Sequence, residues 1–265
     1  MMKFKFSGQR SKWMFMAIVV LCVLALNVSG VFATDPSITV DINSATNSGS
    51  MGALDLMYLF VLLTLLPSLV LLCTCFTRII IVFSLARSAM GTQQSPPNMV
   101  LTGLALFLTL FIMTPTVNKV IEVAWEPYQA GEITSEEAIE LGQAPMKEFM
   151  LKNVDKDSLN LFLQISGNEL SFSDETKINE ALMELDFKVV APAFATSELK
   201  RGFIMGFFVY VPFVIIDLVV SSTLMAMGMV MLPPASIAMP FKLLVFILAD
   251  GWGLMMSTLV KSFRV

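Results

Sequence analysis

Three ionisable side chains, Asp217, Lys242 and Asp250, stand inside long apolar runs, and between two of those runs lies MAMGMVMLPP, Met225 to Pro234, with four methionines and no charge. Charges inside apolar helices serve ion or proton chemistry, or they pair with one another. Thioethers offer something different: soft, adaptable apolar contact. A turn at a membrane surface normally carries Lys, Arg, Asp, Asn or Ser, because water and headgroups solvate them. A turn built from Met225, Met227, Met229 and Met231 therefore implies a surface that meets something other than water. Enzymatic chemistry has little to work with. The chain has 0 His and 3 Cys, which removes the usual general base and commonest metal ligand and leaves too few thiolates for a zinc or cluster site. Cys73 and Cys75, in LLCTCF, are one residue apart and point to different sides of a helix, as small apolar residues do. No convincing Ser or Asp pair supplies the nucleophile and base that an intramembrane hydrolase needs. No cofactor is implied.

The elements that must position these residues are membrane helices. Hydrophobic residues make up 56% of the chain and charged ones 14%, with mean hydropathy +0.77, well outside the range of an ordinary soluble domain. The first 33 residues read as an export signal: Lys3, Lys5, Arg10 and Lys12 form a basic region, Trp13 to Leu26 an apolar core, and Val31, Phe32 and Ala33 a small-residue site cleaved between Ala33 and Thr34. The alternative is an uncleaved anchor, against which the core falls short of the roughly 20 residues a span needs. Residues 34–53 are a polar lead-in, disordered by composition.

Four apolar segments follow, near Leu54 to Phe76, Met99 to Val117, Phe203 to Leu224 and Phe241 to Val260. They form two hairpins, residues 54–118 and 201–265, in an all-α membrane fold. Pro67 and Pro212 predict bends. The first segment continues without Gly or Pro to Gly91, so Arg78 and Arg87 fall in one helical run that GTQQSPPN ends. Residues 119–200 have another character. Asp and Glu outnumber Lys roughly two to one, and Met146, Phe149, Met150 and Val154 are spaced for an amphipathic helix, which predicts a small acidic helical domain in water. Thr196 or Ser197 offers an N-cap for the helix entering the third segment.

With a cleaved signal, the acidic domain lies outside and the Arg78 and Arg87 region inside, in keeping with the positive-inside rule. Those arginines anchor orientation or bind partner subunits. The last hairpin does not fit this scheme, because Lys261 and Arg264 would lie outside and the methionine turn would face the cytoplasm uncharged. Surfaces of this kind are explained if they are covered by other protein subunits.

FTRIIIVFSLARSAMGTQQSPPNMVLTGLALFLTLFIM, APAFATSELKRGF and VPFVIIDLVVSSTLMAMGMVMLPPASIAMPFKLLVFILADGW resemble the signature blocks of the FliP/SctR export-gate family of type III secretion, in its flagellar branch. The long signal is more typical of flagellar than of injectisome members. The resemblance implies no reaction. It implies a pentamer of the chain joined to FliR and several copies of FliQ, with FlhB nearby, embedded in lipid at the flagellar basal body in the bacterial inner membrane. The 119–200 domain would be periplasmic. Unfolded flagellar subunits would pass through its channel, nucleic acid plays no part, and Met225, Met227, Met229 and Met231 would line the lumen as a gasket. Val230 interrupts a methionine run that is often tighter in the family. The plainer reading is that the methionines fill helix interfaces.

Asp217 and Lys242 carry opposite signs. In a hairpin turning near Ala235, Asp217 lies about eighteen residues before the turn and Lys242 about seven after it, a depth mismatch of roughly 16 Å. The two are therefore expected to pair between adjacent copies; otherwise each reaches water separately. Asp250 is closer in depth to Asp217, but two carboxylates repel. An ion-coupled solute transporter would also use Asp217, Lys242 and Asp250, yet the internal repeat such proteins carry is not evident.

Overall fold

Thr74 decides where the first described helix begins. In a computed structural model of the chain, the described residues are 70–92, 94–167, 185–229 and 231–264, with scattered positions between 60 and 68. The Thr74 N–H donates to the Leu71 carbonyl at 3.4 Å and its hydroxyl to the same oxygen at 3.0 Å, while the Phe76 N–H donates to Thr74 Oγ1 at 3.5 Å. A hydroxyl that competes for backbone groups in this way offers the chain an alternative to helix. Residues 73–75 leave the helical path, and α1 runs from Phe76 to Met90. The single run expected through Arg78 and Arg87 is thus interrupted at its start, with no Gly or Pro to signal it. Its end is as expected: Gly91 adopts φ 75°, the left-handed conformation that glycine accepts at a helix C-terminus.

Pro96 and Pro97 lead into α2, Asn98–Val120, whose helical path continues through a π-helical turn, Ile121–Trp125, and α3, Glu126–Ala130, to Gly131 at φ 76°. This continuous stretch, Asn98–Ala130, is long enough to cross a membrane and its most apolar window has mean hydropathy 2.0, but it runs well past the expected end near Val117. α4, Ser135–Asn153, opens on a capping box in which Thr134 and Glu137 satisfy each other's backbone N–H groups, an arrangement that stabilises a helix start. α5, Lys156–Ile165, follows closely.

α6, Phe187–Ala226, is 40 residues long, roughly 60 Å at 1.5 Å per residue. Its N-cap is Asp186, whose carboxylate accepts from the Lys188 N–H at 3.1 Å, so the helix starts well before Thr196 and Ser197. Those residues lie inside it, and the division at residue 200 falls within the same helix. The helical path persists through Pro192 and Pro212. Its most apolar window has mean hydropathy 2.5 and is only 11% buried. α7, Pro234–Leu248, and α8, Gly251–Lys261, meet at a 60° bend and together pass as one broken span. These make two candidate spans, or three with the bent pair. The expected segment from Leu54 to Phe76 lies mostly outside the described residues, as do the signal and the lead-in.

Residues 71–265 cohere as one unit. Its core lies where α1 packs along α6. Arg78 meets Glu198, Ile81 meets Gly202 and Leu85 meets Gly206, so the two helices run in the same direction. Gly206 permits the approach, since a Cβ there would come within 2.2 Å of Leu85 Cδ1. An aromatic chain then ties α1, α8, α7 and α6 together: Phe83 to Trp252, Trp252 to Phe246 and Phe246 to Phe213, at 6.2, 5.4 and 6.2 Å between centroids. Phe149 and Met150 of α4 enter the same core.

Candidate functional site

The two charges read from the sequence as opposite in sign meet in one chain. Lys242 Nζ lies 2.6 Å from Asp217 Oδ2 and donates to the Ala89 carbonyl at 3.1 Å. The expected pairing between copies is therefore corrected. The reason is the turn. Helix α6 stops at Ala226 and α7 starts at Pro234, so Asp217 lies about nine residues before one end and Lys242 about eight after the other, a depth difference of only ~2 Å. The hairpin turns over residues 227–233 and not at Ala235. Lys242 is buried and also serves the end of α1, where unpaired carbonyls favour a cation. The Asp217 side chain is 39% exposed, yet its Oδ1 is enclosed without a hydrogen-bond partner among the described residues.

At the opposite end of α1 is a second, deeper locus. Arg78, 1% exposed, forms a two-pronged ion pair with Glu198, 0% exposed: Nε donates to Oε2 at 2.8 Å and Nη2 to Oε1. Arg78 Nη1 donates to the Ser262 hydroxyl at 2.8 Å and to its carbonyl at 3.2 Å. The guanidinium also lies 3.8 Å from the centroid of Phe263. Parallel planar donors matched to a carboxylate are what distinguish arginine from lysine at such a site. A buried pair in which each guanidinium nitrogen makes a hydrogen bond fixes geometry more than it adds stability. The Arg78 guanidinium is therefore engaged within the chain. Arg87, about two and a half turns further along α1, lies at the Ala89 end, where Nη1 donates to the Pro96 carbonyl at 3.3 Å and to Asn98 Oδ1. It braces the 91–97 loop. The two arginines do not share one level of the molecule.

Between α6 and α7 the methionine turn is built by a Schellman motif. The Met229 N–H donates to the Leu224 carbonyl and the Gly228 N–H to that of Met225, both at 3.0 Å, with Gly228 at φ 76°. This motif closes the end of a helix by doubling the chain back. Met225 is still helical, Met227 caps the helix, and Met229 and Met231 belong to the turn. All four side chains are exposed, Met231 to 96%. Asp250 stands apart, exposed at the bend between α7 and α8 with φ 48° and no capping hydrogen bond from its side chain. Ala33 and Thr34 lie outside the described residues.

Three buried polar side chains have roles that the sequence does not show, with Ser197 legible there only as a possible N-cap. Glu198 sits in a stretch expected to be acidic and wet. Ser197 accepts from the Asp155 N–H at 2.8 Å. Asn153, 0% exposed, bonds to the backbone of Arg264 in both directions. Nothing in their immediate neighbours marks them; the signal is tertiary. On α4, Lys152 and Lys119 hold the partly exposed Glu148 carboxyl below its ordinary range. No group of three or more His, Cys, Asp or Glu able to hold a metal occurs among the described residues.

Long apolar helices, internal pairing of the buried charges and an uncharged exposed turn define an all-helical membrane protein, and its polar groups hold structure in place. A profile of the FliP family matches residues 59–259. The chain is 48% identical over 219 residues to the flagellar biosynthetic protein FliP of Pectobacterium carotovorum subsp. carotovorum, covering 82% of each chain. It is 44% identical over 250 residues to that of Caulobacter vibrioides, covering 93% of this chain and 90% of the relative. With FliP of Aquifex aeolicus the identity is 40% over 244 residues, covering 92% and 98%. The chain belongs to the FliP family, a family of flagellar biosynthetic proteins and not of enzymes.

Proposed function

We propose that the chain is a core subunit of the flagellar type III protein export gate, assembling with further copies of itself, FliQ and FliR around a channel for unfolded flagellar subunits. The observation that carries this reading is uncovered apolar surface. The most apolar window of α6 is 11% buried within the chain, and the methionine turn projects four exposed thioethers with no charge among them. Lipid alone would cover the helix, but it would not select an uncharged turn at the tip of a hairpin. Contact with other protein does. Unbranched thioethers meeting at the centre of a ring close on one another at rest and yield to a passing chain without preferring its sequence.

On this reading the protein sits in the bacterial inner membrane at the basal body, with residues 119–200 on the periplasmic side, FlhB close by and the signal removed between Ala33 and Thr34. The names of the relatives favour a flagellar over an injectisome gate. A tagged copy purified from native membranes in mild detergent emerges as a large complex with FliQ and FliR. Recovery of a monomer or small oligomer without them would overturn the proposal. The gasket is tested separately by replacing Met227, Met229 and Met231 with Ala: assembled gate is retained and small-ion leakage rises. Unchanged permeability with normal assembly removes the methionines from that role.

A further inference from the structure

We propose that Asn153, Phe149 and Arg78 form an internal peptide-docking site whose ligand is residues 262–264 of the same chain, held mainly through its backbone. α8 ends at Lys261, and the three residues that follow are each gripped differently. Ser262 gives its carbonyl and hydroxyl to Arg78 Nη1 at 3.2 and 2.8 Å. The ring of Phe263 meets both the Arg78 guanidinium, 3.8 Å from its centroid, and Phe149, stacked at 6.5 Å with planes 21° apart. Arg264 is held by its peptide groups: its N–H donates to Asn153 Oδ1 and its carbonyl accepts from Asn153 Nδ2, both at 2.9 Å.

That last pattern is what a neighbouring β-strand would offer, reproduced by one carboxamide. Only Asn and Gln carry a donor and an acceptor side by side with this spacing. Asn153 Nδ2 also donates to the Phe149 carbonyl at 2.9 Å, which fixes the orientation of the amide. Asn153 ends α4, and the adjacent junction is held from the other side by the bond from the Asp155 N–H to Ser197 of α6. The docked segment therefore completes the attachment of the acidic helical region to the apolar helices. The Arg264 side chain is exposed and makes no part of the grip.

The site predicts an unusual sensitivity, because removing the Arg264 side chain is harmless while removing its N–H is not. Hydrogen exchange is measured by mass spectrometry on the full chain in detergent, for peptides covering residues 146–154, 255–264 and, as an internal control, 79–86. Arg264→Ala leaves all three at parental rates. Arg264→Pro, and Asn153→Asp, which keeps the acceptors and loses the donor, each speed exchange in the first two by on the order of tenfold, as expected for one or two lost hydrogen bonds, and leave the control unchanged. If Arg264→Pro also exposes residues 79–86, Asn153→Asp decides by the same criterion. The proposal is overturned if Arg264→Ala loosens the α4 end as much as Arg264→Pro does, if neither Pro nor Asp changes it, or if both unprotect the control.

Discussion

Removing Glu198 should destabilise the chain far more than removing the whole ion pair. In Glu198→Ala the Arg78 guanidinium, 1% exposed, would keep its bonds to Ser262 and its contact with Phe263 but lose the one opposite charge that it touches among the described residues. Breaking one side of a buried pair costs about 3–5 kcal/mol because the other charge is left uncompensated. In a domain of this size each kcal/mol shifts the midpoint by roughly 2–4 °C, so the single variant is expected to melt about 6–20 °C lower. Arg78→Met with Glu198→Leu replaces both groups by apolar ones of similar reach. Its loss should be much smaller, because the desolvation of both ions disappears with them, although Ser262 forfeits a donor. The assay is thermal unfolding of the detergent-solubilised chain followed by circular dichroism, with size exclusion before and after heating. Midpoints within about 2 °C of the parent for Glu198→Ala, or a double variant worse than both singles, would refute the reasoning.

The pair formed by Asp217 and Lys242 should cross-link within one chain when both are replaced by Cys, and the exchange Asp217→Lys with Lys242→Asp should recover part of the assembly lost in either single alanine variant; cross-links found only between copies would be decisive against it. Gly206→Leu should force α1 from α6, because even a Cβ there approaches Leu85 Cδ1 to 2.2 Å, and a midpoint drop corresponding to about 1–3 kcal/mol is expected for such overpacking. The Glu148 carboxyl is held low by Lys152 and Lys119, so its contribution is present above the unfolded value near 4.3 and fades as pH falls through the lower folded value. Since the group is 36% exposed, the parent should exceed Glu148→Gln by at most about 1 kcal/mol at pH 7, and the gap should shrink as the carboxyl is protonated in acid; a gap that widens in acid would contradict the assignment. Asp250→Gly should be neutral or raise the midpoint slightly, because it relieves a left-handed backbone at φ 48° that glycine adopts freely.

What could be read in advance was local chemistry. The stop at Gly91, the uncharged methionine turn and the opposite charges in the last two apolar runs all depend on residue type and near neighbours. The depth of the last hairpin is misjudged because helical rise is counted from Asp217 all the way to Ala235, whereas α6 ends at Ala226 and residues 227–233 double back without adding helical length. The Thr74 break was invisible for a related reason: a hydroxyl inside an apolar run is usually absorbed by the helix, and here it is not. Asp186 was passed over as one acid among many. Glu198 and Asn153 required knowledge of what α1 and residues 262–264 bring to them from far along the chain, and neither has a periodic or spacing signature. Acidic composition alone suggested water, whereas Glu198 of that set is buried against arginine.

The parallel run of α1 along α6 has one more consequence. It is fastened at both ends by unlike means, Arg78 on Glu198 at one and Lys242 against the Ala89 carbonyl at the other, with Gly202 and Gly206 between them seating Ile81 and Leu85. Sliding α1 by one helical turn, about 5.4 Å, would undo both fastenings at once and bring Leu85 against Tyr210 in one direction or Ile81 against Glu198 in the other. The two helices therefore behave as a strut of fixed length. Displacement of the methionine tip relative to α1 has to come from the seven residues between α6 and α7 and from their side chains, not from helices ratcheting past each other.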